Sequence, residues 1–391
     1  MIGVIADDLT GAAEVGAVGL RHGLRAEIIV SGELYPGTDL VCVNTDSRSC
    51  APSEAADRTA VAASRLRASG ARWIYKKVDS VLRGPVTAEL EAIMGRLGLK
   101  LALLVPANPS LGRVMQSGRY FIRGRPLHET EFAHDPEYPR RSSNVLDLLA
   151  TAEGLPIRVC RAKEAIPAAG IVIGEAGTSR DLHHWAGRLN SDILPAGGVE
   201  FFAALMAAAG HKVASSRSDT AVRSAAGGEL LVCGSTSESA EEFVNMARAS
   251  GTPVFSLPAA LKWDTEFAAS AVEAAAQPAV IAFRLHRRII LNVGLPHVRE
   301  LARARLLAVH LSKMAQTVLR QANIGHIYVE GGATAMQLIR QLGWKRMAVM
   351  RELAQGVVTV RAVDAPSPLL TIKPGSYRWP DKVREVLVRT F

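Results

Sequence analysis

Two adjacent carboxylates, Asp7 and Asp8, close an apolar run at residues 2–6 and open the small-residue stretch "LTGAAEVG". A carboxylate pair repels phosphate but accepts hydrogen bonds from hydroxyl groups, or binds a Mg²⁺ ion that in turn holds phosphate. Capping of a following helix explains one of the two acids and leaves the other unexplained. Similar polar residues stand behind three further apolar runs: Asn44-Thr45-Asp46-Ser47-Arg48, then Lys77-Val78-Asp79-Ser80 with Arg83 just beyond, then Pro106-Ala107-Asn108-Pro109. A polyhydroxy acid would use both charge signs: carboxylates on its hydroxyls, and Lys77, Arg83 or Arg113 on its carboxylate.

A second set of loops has a different character. "CGSTSES" (233–239), "EGGATA" (330–335) and "KPGSY" (373–377) are small-residue turns behind apolar runs. Such turns let backbone N–H groups approach a phosphate, and a following helix adds the positive end of its dipole. Neither a GxxxxGK[ST] nor a GxGxxG fingerprint occurs, so a nucleotide site here would be of another construction.

The elements that must hold these loops alternate between strand and helix. Apolar periodicity and stop signals give a strand at 2–6, a helix from about 11 to 22, strands at 26–30 and 40–43, a helix at about 53–69, a strand at 73–77, a helix at 85–97 and a strand at 101–105. This order implies a mostly parallel sheet covered on both faces, with ligands at the carboxyl ends of its strands. Residues 106–140 are loop-rich, with a hairpin expected across Arg123-Gly124 and Arg113, His128, Glu131 and Asp135 as its polar candidates. The Ser-, Ala- and Gly-rich stretch 215–229 reads as a linker. Beyond it come strands at 230–233, 253–257, 279–284 and 326–329, helices at 238–249, about 296–322 and 334–342, and strand-like runs at 357–360 and 369–372. The expected fold class is α/β, with two domains at 1–214 and 230–391. Each is a mainly parallel sheet flanked by helices, and the ligand cleft is expected between them.

Composition narrows the functional classes. The 391 residues exceed the roughly 250–300 at which a single core stops growing. The net charge of +9 attracts anions, but the Lys and Arg residues are dispersed and only 5% of residues are aromatic. That pattern favours a small anionic partner over nucleic acid. No targeting segment opens the chain and no apolar run approaches the ~20 residues of a membrane span, so a cytoplasmic protein without a membrane partner is expected. Four cysteines without a CxxC pair are expected as reduced thiols. His183 and His184 lie about 100° apart on a helix and cannot chelate from one face, so no metal ligands are assigned. Trp185, Trp263, Trp344 and Trp379 are expected to pack in the core. Tyr377 or Trp379, beside the last glycine turn, is the candidate exception.

"IADDLTGA", "YKKVDSVLRG", "PANPSLGR", "PLHETEFAHDP", "CGSTS", "VEGGATA" and "IKPGS", in that order across residues 5–375, resemble the four-carbon acid sugar kinases. The resemblance implies an N-terminal sugar-acid-binding domain and a C-terminal nucleotide-binding domain. It further implies phosphorylation of the terminal hydroxyl of threonate, erythronate or a 3-oxo-tetronate, with ATP and Mg²⁺ as cofactors. On this resemblance Asp7 and Asp8 form the catalytic pair, one at the hydroxyl and one at Mg²⁺. Lys77, Asp79, Arg83, Asn108 and Arg113 face the sugar acid; Ser235, Gly331, Gly332, Thr334, Lys373 and Gly375 face ATP. A homodimer is compatible with the reading. Three positions depart from the family pattern: Ala333 replaces an acid in the second glycine loop, the last loop reads Lys373-Pro374-Gly375-Ser376-Tyr377, and Gly174 replaces an aspartate. They motivate an alternative, a sugar-acid-binding sensor of the same fold with weakened catalysis.

Overall fold

Short apolar runs separated by amphipathic stretches fold into two α/β units. A computed structural model describes all residues except 35–36, 136, 150–154, 214–226, 264–268, 295–299, 366–367, 376 and 389–391. Contacts along the backbone divide the chain into Met1–Ser216 and Arg217–Phe391. The linker expected at 215–229 lies outside the described residues up to position 226.

The first unit runs β1 (Ile2–Ala6), α1 (Leu9–Arg21), β2 (Ala26–Ile29), β3 (Leu40–Asn44), α2 (Pro52–Ala68), β4 (Ile74–Lys77), α3 (Val86–Leu97) and β5 (Leu101–Val105). A small antiparallel sheet follows, β6 (Arg113–Gln116), β7 (Arg119–Ile122) and β8 (Arg125–Pro126), then α4 (Val145–Leu148), β9 (Ile157–Cys160), β10 (Gly170–Gly174), α5 (Ser179–Ala186), β11 (Ile193–Gly197) and α6 (Val199–Ala208). Its main strands lie in the order β2-β3-β1-β4-β11-β5-β10-β9, all parallel. Every residue of β1, β3 and β5 is buried, as continuous apolar strands covered on both faces must be. Register then fixes the site: Ala6 is level with both Asn44 and Lys77, so the loops leaving β1, β3 and β4 start side by side. The expected hairpin is present, and Arg123 and Gly124 both have positive φ (50° and 78°), the signature of a type I′ turn.

The second unit runs β12 (Gly228–Cys233), α7 (Glu238–Ala249), β13 (Val254–Ser256), α8 (Ala259–Trp263), α9 (Ala269–His286), β14 (Arg288–Asn292), α10 (Leu301–Gln321), β15 (Ile324–Glu330), α11 (Gly332–Gln341), β16 (Arg346–Ala354), β17 (Val357–Ala362), β18 (Leu369–Lys373) and α12 (Asp381–Val388). Strands β13-β14-β12-β15-β18 are parallel, and β17 and β16 continue antiparallel. Cys233, Glu330 and Lys373 sit level at the carboxyl ends of three adjacent strands, which sets the three glycine turns together.

One expected element is overturned. Residues 279–284 are not a strand but part of α9, and the strand is β14, which the sequence reading passed over. Buried Val272, Ala276, Ala279, Val280 and Phe283 follow a helical spacing, while Ile281 and Leu285 are 59% and 77% exposed. A five-residue apolar run, 279–283, fits either period, and Pro278 suggested a break there; it sits exposed inside the helix instead. Among the described residues no helix is long and apolar enough to cross a membrane, and the four cysteines are free thiols.

Candidate functional site

Asp8 answers part of the question raised by the carboxylate pair. It is the N-cap of α1, its Oδ1 accepting from the Gly11 N–H at 2.7 Å and its Oδ2 from the Thr10 hydroxyl. Asp7 takes no part in the cap and is 2% exposed. Its two oxygens take the Nε (2.7 Å) and Nη2 (3.2 Å) of Arg48, a bidentate charge-assisted pair. The same guanidinium reaches Asp8 through Nη1 (2.9 Å) and lies 3.7 Å from Asp79. Arg48 is thus the hub joining the loops after β1, β3 and β4. Burial works against its charge, but Asp7, Asp8 and Asp79 hold its pKa well above the ordinary value. Burial likewise opposes the Asp8 carboxylate, yet Arg48, Lys77 and the cap hydrogen bonds keep its pKa low.

The loop after β4 is built by its own acid. Asp79 takes the backbone N–H groups of Val81 and Arg83 and a two-toothed grip from the Arg83 side chain, at 3.0 and 2.8 Å. That over-determined turn holds Leu82 at φ 61°, a conformation costing about 1–3 kcal/mol when unsupported. Gly84 must be glycine: at φ 91°, an added Cβ would stand 3.1 Å from the Arg48 carbonyl. Burial disfavours the Asp79 charge, but Arg83 and Arg48 hold its pKa well below the carboxylate range.

Among the cations, Arg83 is saturated by Asp79 and by Asp135 at 2.9 Å. The Lys77 ammonium donates to the Val78 carbonyl and lies 3.6 Å from Glu14. Arg113 donates to the Ser80 hydroxyl and has no carboxylate partner among the described residues, leaving it the freest of the three for an incoming anion. Asn108 pairs through its backbone with Arg113. It is 3% exposed, and its amide oxygen accepts from the Glu200 N–H in the first turn of α6. Gly174 leaves no room for the expected aspartate, because a Cβ there would lie 2.7 Å from the Trp185 ring. Arg48, Glu14 and Arg140 were not singled out from sequence. Arg48 stands in a quoted polar loop; Arg140, 7% exposed with Nε and Nη2 lacking acceptors, carried no local signal.

In the second unit the three glycine turns meet. A Cβ on Gly375 would lie 3.4 Å from the Ser235 hydroxyl, and one on Gly331 3.9 Å from the Ser235 N–H. Gly331, at φ 100°, precedes α11 and donates to the Lys373 carbonyl at 2.9 Å. Ser237 caps α7, so two helix N-termini flank the turns. A cavity of about 340 Å³ adjoins them, lined by Ser235, Ser237, Glu241, Arg248 and Asn292. Thr334 and Lys373 serve the turns from inside. Thr334 is 3% exposed and packs against Gly234; Lys373 is 1% exposed and gives its ammonium to Glu330 at 3.3 Å and to the Pro374 and Tyr377 carbonyls. Burial pushes Glu330 up and Lys373 down in pKa, and their pairing offsets this only in part. Trp379 donates to Glu330 and is buried, so it packs; Trp263, expected in the core, is 55% exposed beneath Arg303. A larger apolar cavity of about 640 Å³ opens at the amino ends of β4 and β11 and contains none of these residues.

Residues 2–193 match the model of a sugar-binding N-terminal domain, and residues 230–377 that of a nucleotide-binding C-terminal domain. A D-threonate kinase of Salmonella typhimurium is 37% identical over 39% of this chain and 37% of its own length, so that alignment spans well under half of the relative. A 3-oxo-tetronate kinase of Methylobacterium radiotolerans is 28% identical over 96% of both chains. A solved structure from Salmonella typhimurium superposes with a TM-score of 0.78 at 21% identity, covering 99% of this chain and 98% of its own, and shares the fold.

Proposed function

Because the chain belongs to the four-carbon acid sugar kinase family, we propose that it transfers the γ-phosphoryl group of ATP to the terminal hydroxyl of a four-carbon sugar acid. The observation that carries the reading is the meeting of Ser235, Gly331 and Gly375 beside two helix N-termini, a surface suited to phosphate. The adjoining cavity falls within the ~300–1,000 Å³ usual for small-molecule sites and would take the nucleoside. The other half of the chemistry is supported by the Arg48 cluster. Asp8 accepts from the sugar-acid hydroxyls and orients them, while Asp7 and Asp79 hold Arg48 and Arg83 in place. Arg113, with Lys77, receives the substrate carboxylate. Positioning and electrostatic stabilisation dominate phosphoryl transfer, so a rigid charged network is what the reaction asks of the protein.

Among the described residues no group of three His, Cys, Asp or Glu side chains is arranged to hold a metal ion. The acids behind β1 and β4 are bonded to arginines, so the residues do not fit a resident Mg²⁺. An ion of this kind is commonly carried by substrate phosphates, and would come with ATP. The proposal includes a small-molecule partner, in keeping with the kinases named above, and a cytoplasmic place of work.

The test is a coupled ADP-release assay with Mg-ATP against D-threonate, D-erythronate, L-threonate and their 3-oxo forms. Turnover on one of them is the expected result; no turnover on any, by folded protein, refutes the reading. A sensor with weakened catalysis is favoured by one feature, the absence of any acid from the first turn of α11 where Ala333 stands. Acid binding without turnover would select it.

A further inference from the structure

Resting on the kinase reading above, we infer that Glu14 is the group that accepts the proton of the reacting hydroxyl. Among the described residues Arg48, Lys77 and Arg83 reach five carboxylates, and four of these also accept hydrogen bonds. Asp7 gives both oxygens to Arg48. Asp8 takes the Gly11 N–H, the Thr10 hydroxyl and Arg48. Asp79 takes the Arg83 side chain and two backbone N–H groups. Asp135 takes Arg83 and the N–H groups of Glu137 and Tyr138. Among the described residues Glu14, in the second turn of α1, has no hydrogen bond, and its polar contact is the Lys77 ammonium at 3.6 Å.

A carboxylate already accepting several hydrogen bonds from cations and N–H groups has lost basicity to them. Glu14 keeps its lone pairs, and 15% of its side chain remains open. The charged groups around it are Asp8 at the start of its own helix, Lys77 from β4, Arg113 from β6 and Arg48 from the loop after β3. Burial, with Asp8 adding to it, outweighs the three cations and raises the Glu14 pKa, which moves the acid toward the range of an effective general base. In the step, the hydroxyl proton passes to a Glu14 oxygen while the hydroxyl oxygen bonds to the γ-phosphorus. The bond from that phosphorus to the β–γ bridging oxygen breaks, ADP leaves with its electron pair, and Glu14 later releases the proton to solvent.

The experiment compares wild type, Glu14→Gln and Glu14→Ala by steady-state kinetics across pH, on an acid the wild type phosphorylates. For Glu14→Gln, kcat is expected to fall ~10²-fold or more. KM for the acid should change less than about threefold. The decline of kcat on acidification expected of the wild type should disappear in Glu14→Gln, and added formate should restore part of the Glu14→Ala rate. Thermal melting of both variants confirms that they fold. Undiminished kcat in Glu14→Gln, or a loss confined to KM with the wild-type pH profile, overturns the inference and leaves the kinase reading intact, since Glu14 would then only position Lys77. A folded wild type that turns over none of the acids refutes the kinase reading, and the inference with it.

Discussion

Replacing Arg48 by methionine keeps the aliphatic stem and removes one guanidinium from three carboxylates. Asp7 is 2% exposed and Asp79 6%, so neither can recover its lost partner from water. Breaking a buried ion pair by deleting one member costs about 3–5 kcal/mol, because the remaining charge stays buried. Arg83 still holds Asp79, which places the loss on Asp7 and Asp8 and argues for the middle of that range. In a unit the size of Met1–Ser216, 1 kcal/mol moves the melting temperature by about 2–4 °C, so a fall of roughly 6–20 °C is expected at pH 7. The deficit must also depend on pH. In the wild type the folded-state pKa values of Asp8 and Asp79 are depressed, so their contribution is present above the unfolded carboxylate value and is lost as pH falls through the folded ones. Removing Arg48 raises those folded values, and the difference between variant and wild type should narrow as the pH drops toward about 4. Calorimetric melting at pH 7 and pH 4 decides it. A variant melting within about 2 °C of wild type at pH 7, or a deficit that is the same at both pH values, would refute the network as described.

Asp8→Asn should lower kcat/KM by ~10²-fold; asparagine keeps the cap of α1 but gives up the ion pair with Arg48, so the melting temperature should fall, by less than in the Arg48 variant, and unaltered turnover in the ADP-release assay would remove Asp8 from the site. Lys373→Met leaves Glu330, 0% exposed, without its ammonium and should cost about 3–5 kcal/mol at neutral pH. Its Glu330 pKa, already raised by burial, rises further, so the folded form holds a proton the unfolded form has released, and the loss should grow between pH 5 and pH 8 in melting experiments, with the double variant Lys373→Met, Glu330→Gln recovering stability. Gly234→Ala puts a Cβ about 1.9 Å from the Thr334 hydroxyl, so thermal stabilisation by ATP should vanish while stabilisation by the sugar acid persists; an intact ATP shift would dissociate this turn from the nucleotide.

Much of the local structure around the candidate site was readable because it is written locally. A cap of α1 from one of the Asp7-Asp8 pair, the hairpin turn at Arg123-Gly124 and the small-residue turns after β12, β15 and β18 each depend on a few neighbouring residues. The strand expected at 279–284 was misplaced for the complementary reason: five apolar residues satisfy two periods, and only the face buried against the rest of the unit chooses between them. Asn108 and Lys373 were of the right chemical type and at the right strand ends, yet the structure spends the first on the start of α6 and the second on Glu330. Residue type could not anticipate either, since a polar side chain is free or occupied according to what stands opposite it.

The amino-acid sequence by itself determined the alternation of strand and helix, the parallel sheets that follow from it, and the rule that polar loops collect at the strands' carboxyl ends. Those features rest on periodicity and turn chemistry, which act over a few residues. The tertiary structure decided which charges cancel. Arg48 lies 41 residues from Asp7, and they meet because Asn44 is in register with Ala6 across β3 and β1. The same register brings Lys77 beside Ala6 and within reach of Glu14. Pairing across crossover connections is set by strand order and register, and a local pattern of apolar and polar residues carries neither.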